Sequence, residues 1–526
     1  MKQKILFLFF FILVSYGLHA QKENNNWLFG HKAGLTWNTT QNYAAVGVFG
    51  TASTTLSGIP TTIPSKMDTN EGCFSISDVD GNLLFYSDGI TIWDKNGQPM
   101  SNANAATGTG MTGHPSSAQS GIIIPYPGQT NKYIAVTVGF NGTNNLAYSI
   151  VDMTLNGGLG NVVSGQKNIP FNGHSGLLGE SLTAIWDVDG KNAWVVAVGR
   201  GTTGSHFNVW KIDEDGVHTT CHSTSSVARN ATAAYAGGYI MFSRDGKSFA
   251  WVVVKESFMV YGSFDNALGT FTELKVRDAT PYSNGACWGV AFSNSGKYLY
   301  IAGTPDWVGQ TTGSYIEVFD FQSLLTAGTP NSVSPLRSIN IPQSPANGSN
   351  GHFGVIMMGP DNRLYLPAYH SNSLYTIINP EDIPSSLNIY RLDGILGTGY
   401  VDWGLPTFMA SWFKIEIIPP KNSEVCINTT SDYIIQVFGG YRFDEIKSIV
   451  VDWGDGTIDR MNPPATGSFT YNHTYDKRDI YIITVTPYED VAETMPITER
   501  IKTAEVKVKS CLLPVNHNVS VMGYYD

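Results

Sequence analysis

Met241-Phe242-Ser243-Arg244-Asp245-Gly246-Lys247-Ser248-Phe249-Ala250-Trp251 reads as the end of one apolar strand, a tight turn and the start of a second, alternating strand. Asp bonds its own following backbone and Gly supplies a positive φ, which is hairpin chemistry. Variants of the unit recur at 76–86 (turn Asp78-Val79-Asp80-Gly81), 185–194 (Asp187-Val188-Asp189-Gly190), 291–300 (Ser293-Asn294-Ser295-Gly296) and 358–366 (Gly359-Pro360-Asp361-Asn362). One hairpin reused at intervals of roughly 50–65 residues predicts a β-propeller. Six repeats stand out. A seventh is expected from the N-terminal strands near Trp27 joining the last strands near Trp403, giving a ring of about seven blades with no long free edge.

Composition agrees with an all-β chain. Of 526 residues only 14% are charged, 12% are aromatic and 55 are glycine. A net charge of −11 speaks against nucleic acid or an anionic membrane as partner, since both require basic patches. Residues 1–20 carry Lys2 and Lys4, an apolar run from Ile5 to Val14, and a small-residue end at Ala20. That is the pattern of a signal peptide cut before Gln21, with an apolar core too short to span a bilayer. No Cys stands at the cut, which disfavours a lipoprotein, and no later segment is apolar enough for a membrane span. The five cysteines show no CxxC and no Cys/His spacing suited to zinc. Export permits disulfides, and Cys426 with Cys511 brackets the last β segment as a candidate pair, although sequence leaves connectivity open.

Along the chain, 21–413 is expected to hold the propeller. Within it, 39–70 reads as a long Thr-, Ser- and Gly-rich loop, 101–120 as a loop containing His114, and 152–160 as a turn between blades. Pro419-Pro420 marks a linker over 414–422. Several short strands over 423–512 suit an immunoglobulin-like sandwich, and 513–526 is a tail.

Two resemblances rest on particular residues. Asp452-Trp453-Gly454-Asp455-Gly456-Thr457, with Asn472-His473-Thr474-Tyr475 and the strand from Tyr481 to Thr486, resembles a polycystic-kidney-disease (PKD) domain. It departs at Trp453-Gly454, where that family usually has Phe before Gly. The larger part, about 24–413, resembles the propeller-like regions of secreted Bacteroidetes proteins that also carry PKD domains. The resembling residues are Asn26-Trp27-Leu28-Phe29-Gly30, Glu71-Gly72-Cys73, the run from Gly81 to Gly89, the run from Tyr148 to Met153, and Gly404-Leu405-Pro406. Many relatives end in a sorting domain, and the final Tyr524-Tyr525-Asp526 shows none, which puts that surface route in doubt. The resemblance implies a surface or extracellular interaction role and carries no enzymatic activity.

The residues support little chemistry. The Ser243-Arg244-Asp245-Gly246 turn differs from a sialidase Asp box, which needs a residue between Asp and Gly, and arginine is sparse in the repeats. A Gly-x-Ser-x-Gly elbow is absent. Glu180 and Asp187 are two carboxylates whose spacing fixes no geometry. His114, His174, His206, His352 and His370 are read mainly as loop or strand-end residues bonded to backbone. Asp452 and Asp455 are calcium candidates whose plainer reading is turn capping. Most aromatics sit at strand positions, whereas Trp307, Tyr369 and His370 fall in turns and are the candidates for exposed binding aromatics. No cofactor is expected. The expected role is non-catalytic binding or adhesion to protein or glycan through loops 101–120, 200–206, 303–314 and 343–352, with the PKD segment as spacer or second contact surface. Two alternatives stand: an enzyme acting on polysaccharide or peptide at the channel, or a structural part of an envelope machine. The first would show acidic or His groups converging at the channel mouth. Oligomeric state is not legible.

Overall fold

A computed structural model describes residues 22–511 apart from 141, 189, 230–236, 255–257, 279–285, 305–313, 342–353, 411–413, 421–423, 439–444, 466 and 498–499. The segment 1–20, Trp307, His352 and the tail 513–526 lie outside the described residues. The chain divides into two compact units, one over Gln21–Lys414 and one mainly from Ile415–Gln436 and Ile446–Asp526.

The first unit is a β-propeller, and its described residues form six hydrogen-bonded antiparallel sheets. Their opening strands are Phe74–Ser77, Gly121–Pro125, Leu177–Trp186, Ile240–Phe242, Ala286–Phe292 and Met357–Met358. Each opening strand packs against the next, and Asn26–Phe29 packs against Phe74–Ser77, so seven strands stand side by side in the interior. Their sequences explain the placement. Asn26–Phe29, Phe74–Ser77 and Gly121–Pro125 are buried at every position, as a strand covered on both faces must be. Outer strands such as Ser223–Val227 and Thr270–Asp278 mix buried with exposed positions instead.

The repeated turn closes the same way in successive sheets. Ser243 N donates to Ser248 O at 2.8 Å and Gly246 N to Ser243 O at 2.9 Å, with Gly246 at φ +72°. Asp187/Gly190/Asn192 and Ser293/Gly296/Tyr298 repeat that pair, and Asp78/Gly81/Asn82 does so one residue shorter. At Gly359/Asn362/Arg363 the left-handed position is taken by Asn362 at φ +63°.

Three expectations need correction. Most of the 39–70 stretch is not a loop: Ala33–Val48 and Thr54–Thr62 form a hairpin, and apart from its turn at 49–53 only 63–70 runs outside the named strands. Its hydroxyl-rich sequence looked loop-like, but Thr is β-branched and suits a strand with an exposed face. The ring-closing expectation is met only in part: near Trp403 the N-terminal segment makes an isolated bridge, His31 to Tyr400, while the ladder that joins it to the last sheet pairs Val46, Gly47 and Val48 with Arg391, Tyr390 and Ile389. Because Ala33–Val48 bonds both to Asn26–Phe29 and to Ile389–Leu392, the N-terminal strands merge with the last sheet into one of seven strands. Finally, 152–160 lies within a sheet, since Asn161–Val162 folds back onto Leu146–Asp152.

The second unit has a three-stranded sheet (Lys414–Ile418, Ser431–Phe438, Gly467–His473) and a five-stranded one (Glu424–Cys426, Lys502–Lys509, Ile480–Tyr488, Ser448–Asp452, Ile458–Met461). Tyr433 and Ile435 of the first and Ile449, Val451, Ile483, Val485 and Val506 of the second are fully buried. Cys426 and Cys511 form a disulfide with Cα atoms 5.4 Å apart. Among the described residues no helix is long and apolar enough to cross a membrane.

Candidate functional site

The segment Tyr400-Val401-Asp402-Trp403-Gly404-Leu405 crosses the inner ends of several sheets. His31 N donates to Tyr400 O (2.8 Å), Val401 N to Ser371 O (3.0 Å), Trp403 N to Asn70 O (2.9 Å), Val355 N to Trp403 O (2.9 Å) and Thr407 N to Cys73 O (2.9 Å). The Tyr239 hydroxyl reaches Leu405 O at 3.5 Å. Crowding is severe enough to require glycine: a Cβ on Gly404 would lie 1.6 Å from Glu71 O, and one on Gly354 1.8 Å from Trp403 O. Leu405 is fully buried.

This crossing lies at the strand ends opposite the repeated turns. Glu71 precedes Phe74–Ser77, whose far end enters the Asp78 turn, and Tyr369-His370 follows Leu364–Pro367, which returns from the Gly359 turn. Six rings are linked there in succession. Trp288 stacks on Trp403 (4.9 Å, 24°), Trp403 meets Tyr369 (4.3 Å), Tyr369 meets His370 (6.0 Å), His370 meets Tyr400 (5.0 Å), and Tyr400 stacks on His31 (4.1 Å, 15°). The row begins in the interior, where Trp288 is 5% exposed, and includes His370, whose side chain is 63% exposed. His370 sits at φ +53°, a left-handed conformation in which His is one of the better-tolerated residues.

Carboxylates accompany the rings. Asp402 accepts from His31 Nε2 at 3.1 Å through one oxygen and from His370 Nδ1 at 3.0 Å through the other, and His31 Nδ1 faces Asp68. Burial pushes the Asp402 carboxyl up, but the two imidazoles outweigh it and hold it below the ordinary value. The bond to Asp402 raises His31 against the opposing effect of burial, with Asp68 adding to the rise. Glu71 has the opposite fate: burial, then the charges of Glu180 and Asp402, hold it well above the usual carboxylate range. Glu180 is itself buried, and its Oε2 accepts from Ala118 N at 3.2 Å.

Tyr369 and His370, named from sequence, therefore belong to one cluster, while Trp307 lies outside the described residues. His31, Asp68, Glu71 and Asp402 were missed as site residues. The sequence marks Glu71 and Gly404 only as positions of the resembling motifs, and nothing local tells that they meet. Glu180 and Asp187 do not form a pair: Glu180 lies within the strand Leu177–Trp186, and Asp187, just beyond its end, closes the following turn by accepting from Lys191 N at 2.9 Å. His114 stacks on Phe140, and His174 Nδ1 lies 3.1 Å from Gly176 O. In the second unit, Asp452 accepts from Gly454 N (2.8 Å), and Asp455 accepts from Thr457 N (3.0 Å) and His473 Nε2 (2.8 Å). Both carboxylates thus cap the turn. Among the described residues no three His, Cys, Asp or Glu side chains are grouped to hold a metal ion.

No family model matches this chain, and no curated protein does. Among solved structures it is similar to a proposed 6-phosphogluconolactonase of Bacteroides fragilis (14% identity, 85% of this chain and 98% of that one, TM-score 0.36). It is also similar to the WD40 domain of Toxoplasma gondii coronin (10%, 73% and 87%, TM-score 0.33). Part of it is similar to the PKD domain of an M14-like peptidase from a Thermoplasmatales archaeon (19%, 18% and 92%, TM-score 0.14). At such identities and TM-scores the fold rests on the hydrogen-bonded sheets themselves.

Proposed function

We propose that this protein is an exported binding module whose propeller recognises a glycan at the Asp402 cluster. The observation carrying the reading is the row of rings from Trp403 through Tyr369 and His370 to Tyr400 beside the Asp402 and Asp68 carboxylates. Aromatic faces pack against the apolar face of a sugar ring, and carboxylates accept from its hydroxyls. A rigid scaffold presenting a few polar groups among apolar surface is how small-ligand sites are usually built. Export is supported by the basic and apolar run at residues 1–20, together with a disulfide of the kind that persists in oxidising compartments. The second unit, PKD-like in its 452–457 turn, serves as spacer or second contact surface.

One observation favours a second reading, an enzyme acting on polysaccharide at the same place. Glu71 is held towards its neutral form and Asp402 towards its ionised form, the divergence that acid–base pairs use. A glycan array on residues 21–526, repeated with Tyr369→Ala, tests the first reading. Saturable binding weakened about tenfold or more by the substitution is expected, on the scale of a lost aromatic anchor. An empty array, or binding indifferent to Tyr369, overturns it. Appearance of new reducing ends in a bound polysaccharide would establish the second reading.

A further inference from the structure

We propose that His370 is a general base, and that the glycan bound beside it is hydrolysed there at an O-acyl ester on its sugar hydroxyls. This rests on the reading above for the presence of a glycan at the Asp402 cluster, and adds a reaction to it.

Asp68, His31, Asp402 and His370 form a chain of side chains whose bonds fix one another. His31 is held at both ring nitrogens, Nδ1 facing Asp68 and Nε2 lying 3.1 Å from one Asp402 oxygen, and its ring stacks on Tyr400 at 4.1 Å. Asp402, whose side chain is 11% exposed, turns its other oxygen to His370 Nδ1 at 3.0 Å. An ionised carboxylate can only accept, so Nδ1 carries the hydrogen and the neutral ring keeps its lone pair on Nε2. Nε2 makes no hydrogen bond among the described residues, and the side chain is largely open to solvent. One nitrogen tied to a buried carboxylate and the other offered outward is how a general base is oriented.

The backbone adds an independent observation. His370 sits at φ +53°, a conformation that Gly adopts freely and other residues only at a cost. Ser371, the next residue, bridges to Val401, the residue before Asp402, so both members of the pair are held from their main chains. Strain of this kind collects where a side chain has to be aimed.

The chemistry selects the bond. A neutral imidazole takes a proton, which suits attack by water; a glycosidic oxygen leaves only when an acid supplies one. Asp68, Asp402 and a net charge of −11 repel phosphate or sulfate esters, whereas an acyl ester is uncharged. In the step, Nε2 accepts a proton from water as the water oxygen bonds to the ester carbonyl carbon. The bond from that carbon to the sugar oxygen then breaks, and the sugar oxygen takes the proton back from Nε2. Water and ester become a carboxylic acid and a sugar hydroxyl, with no change of oxidation state.

Release of acetate from an O-acetylated xylo-oligosaccharide by residues 21–526, at mildly alkaline pH, provides the test. His370→Gly suits the left-handed backbone and leaves the place of the ring open, so the variant should keep its fold. It is expected to lose about 10²-fold or more in kcat/KM, and added imidazole should restore part of the loss, a rescue that a merely structural role would not give. No acetate from the wild type, while the glycan array still shows Tyr369-dependent binding, would overturn the inference and leave the glycan reading standing. Release undiminished in His370→Gly would overturn it too, since the base would then be another group. Neither release nor glycan binding would overturn both.

Discussion

Asp402→Asn keeps the shape of the side chain and removes its charge, so its effect should depend on pH in a defined direction. Asp402 makes two bonds to imidazoles, at 3.1 and 3.0 Å. Its own side chain is 11% exposed and that of His31 15%, so the His31 bond is a charge-assisted contact of roughly 1.5–3 kcal/mol. The His370 side chain is 63% exposed, and solvent screening reduces that pair to at most about 1 kcal/mol. His31 is raised in the folded chain, so its contribution is complete below the ordinary value of 6.5 and disappears as pH climbs through the folded value. Asp402 is lowered, so its contribution is complete above the ordinary value of 3.8 and disappears as pH falls through the folded one. Both are present between about pH 4.5 and 6.5. Urea unfolding should therefore show Asp402→Asn less stable by about 2–3 kcal/mol at pH 5.5 and by only about 1 kcal/mol at pH 8.5. The His31 imidazole proton, followed by NMR, should titrate at lower pH in the variant. A destabilisation equal at both pH values, or an unmoved His31, would refute the account of the cluster as an ion-paired network.

Removing the staple in the second unit should be expensive. Cys426 and Cys511 are 85 residues apart, and loop-closure entropy puts their crosslink at about 4.5 kcal/mol as an upper figure. Hydrogen exchange of the 424–509 amides in Cys426→Ala/Cys511→Ala should then accelerate by up to about 10³-fold, and a change below tenfold would argue that the unfolded segment is already compact. Gly404→Ala should lower stability by about 3 kcal/mol or more, because a Cβ 1.6 Å from Glu71 O forces backbone to move. A thermal midpoint within 1 °C of wild type, read by differential scanning calorimetry, would show that the central crossing yields more easily than its packing suggests.

Local chemistry made the propeller legible. The turn at Ser243 to Ser248 needs only Ser, Asp and Gly at fixed offsets, and its copies at Asp187 and Ser293 bond alike. The same kind of reasoning failed at 39–62, because Thr-rich sequence is common to loops and to exposed strands, and only the pairing of Ala33–Val48 with Thr54–Thr62 and with Ile389–Leu392 distinguishes them. The candidate site was half visible. Tyr369 and His370 fall in a turn, where exposed aromatics invite notice. Their partners come from the turn after Asn26–Phe29, from the approach to Phe74–Ser77 and from the crossing at 400–405. Nothing in the spacing of His31, Glu71 and Asp402 encodes that encounter, since ring closure alone brings both ends of the unit together.

That crossing also bears on how the protein is made. Asn70 and Cys73 emerge early in synthesis, whereas Trp403 and Thr407, which occupy their backbone groups, emerge only when the first unit is almost complete. Until then the carbonyls of Asn70 and Cys73 lack the partners that the crossing supplies, and Leu405 has not entered the buried core, leaving polar backbone and apolar surface open in the nascent chain. Contacts of such long sequence separation form slowly and expose intermediates to aggregation. A chain stalled before residue 400 therefore has the described hairpins of the propeller and the closing pairing of Val46 with Arg391, but lacks the crossing that ties the inner strand ends together.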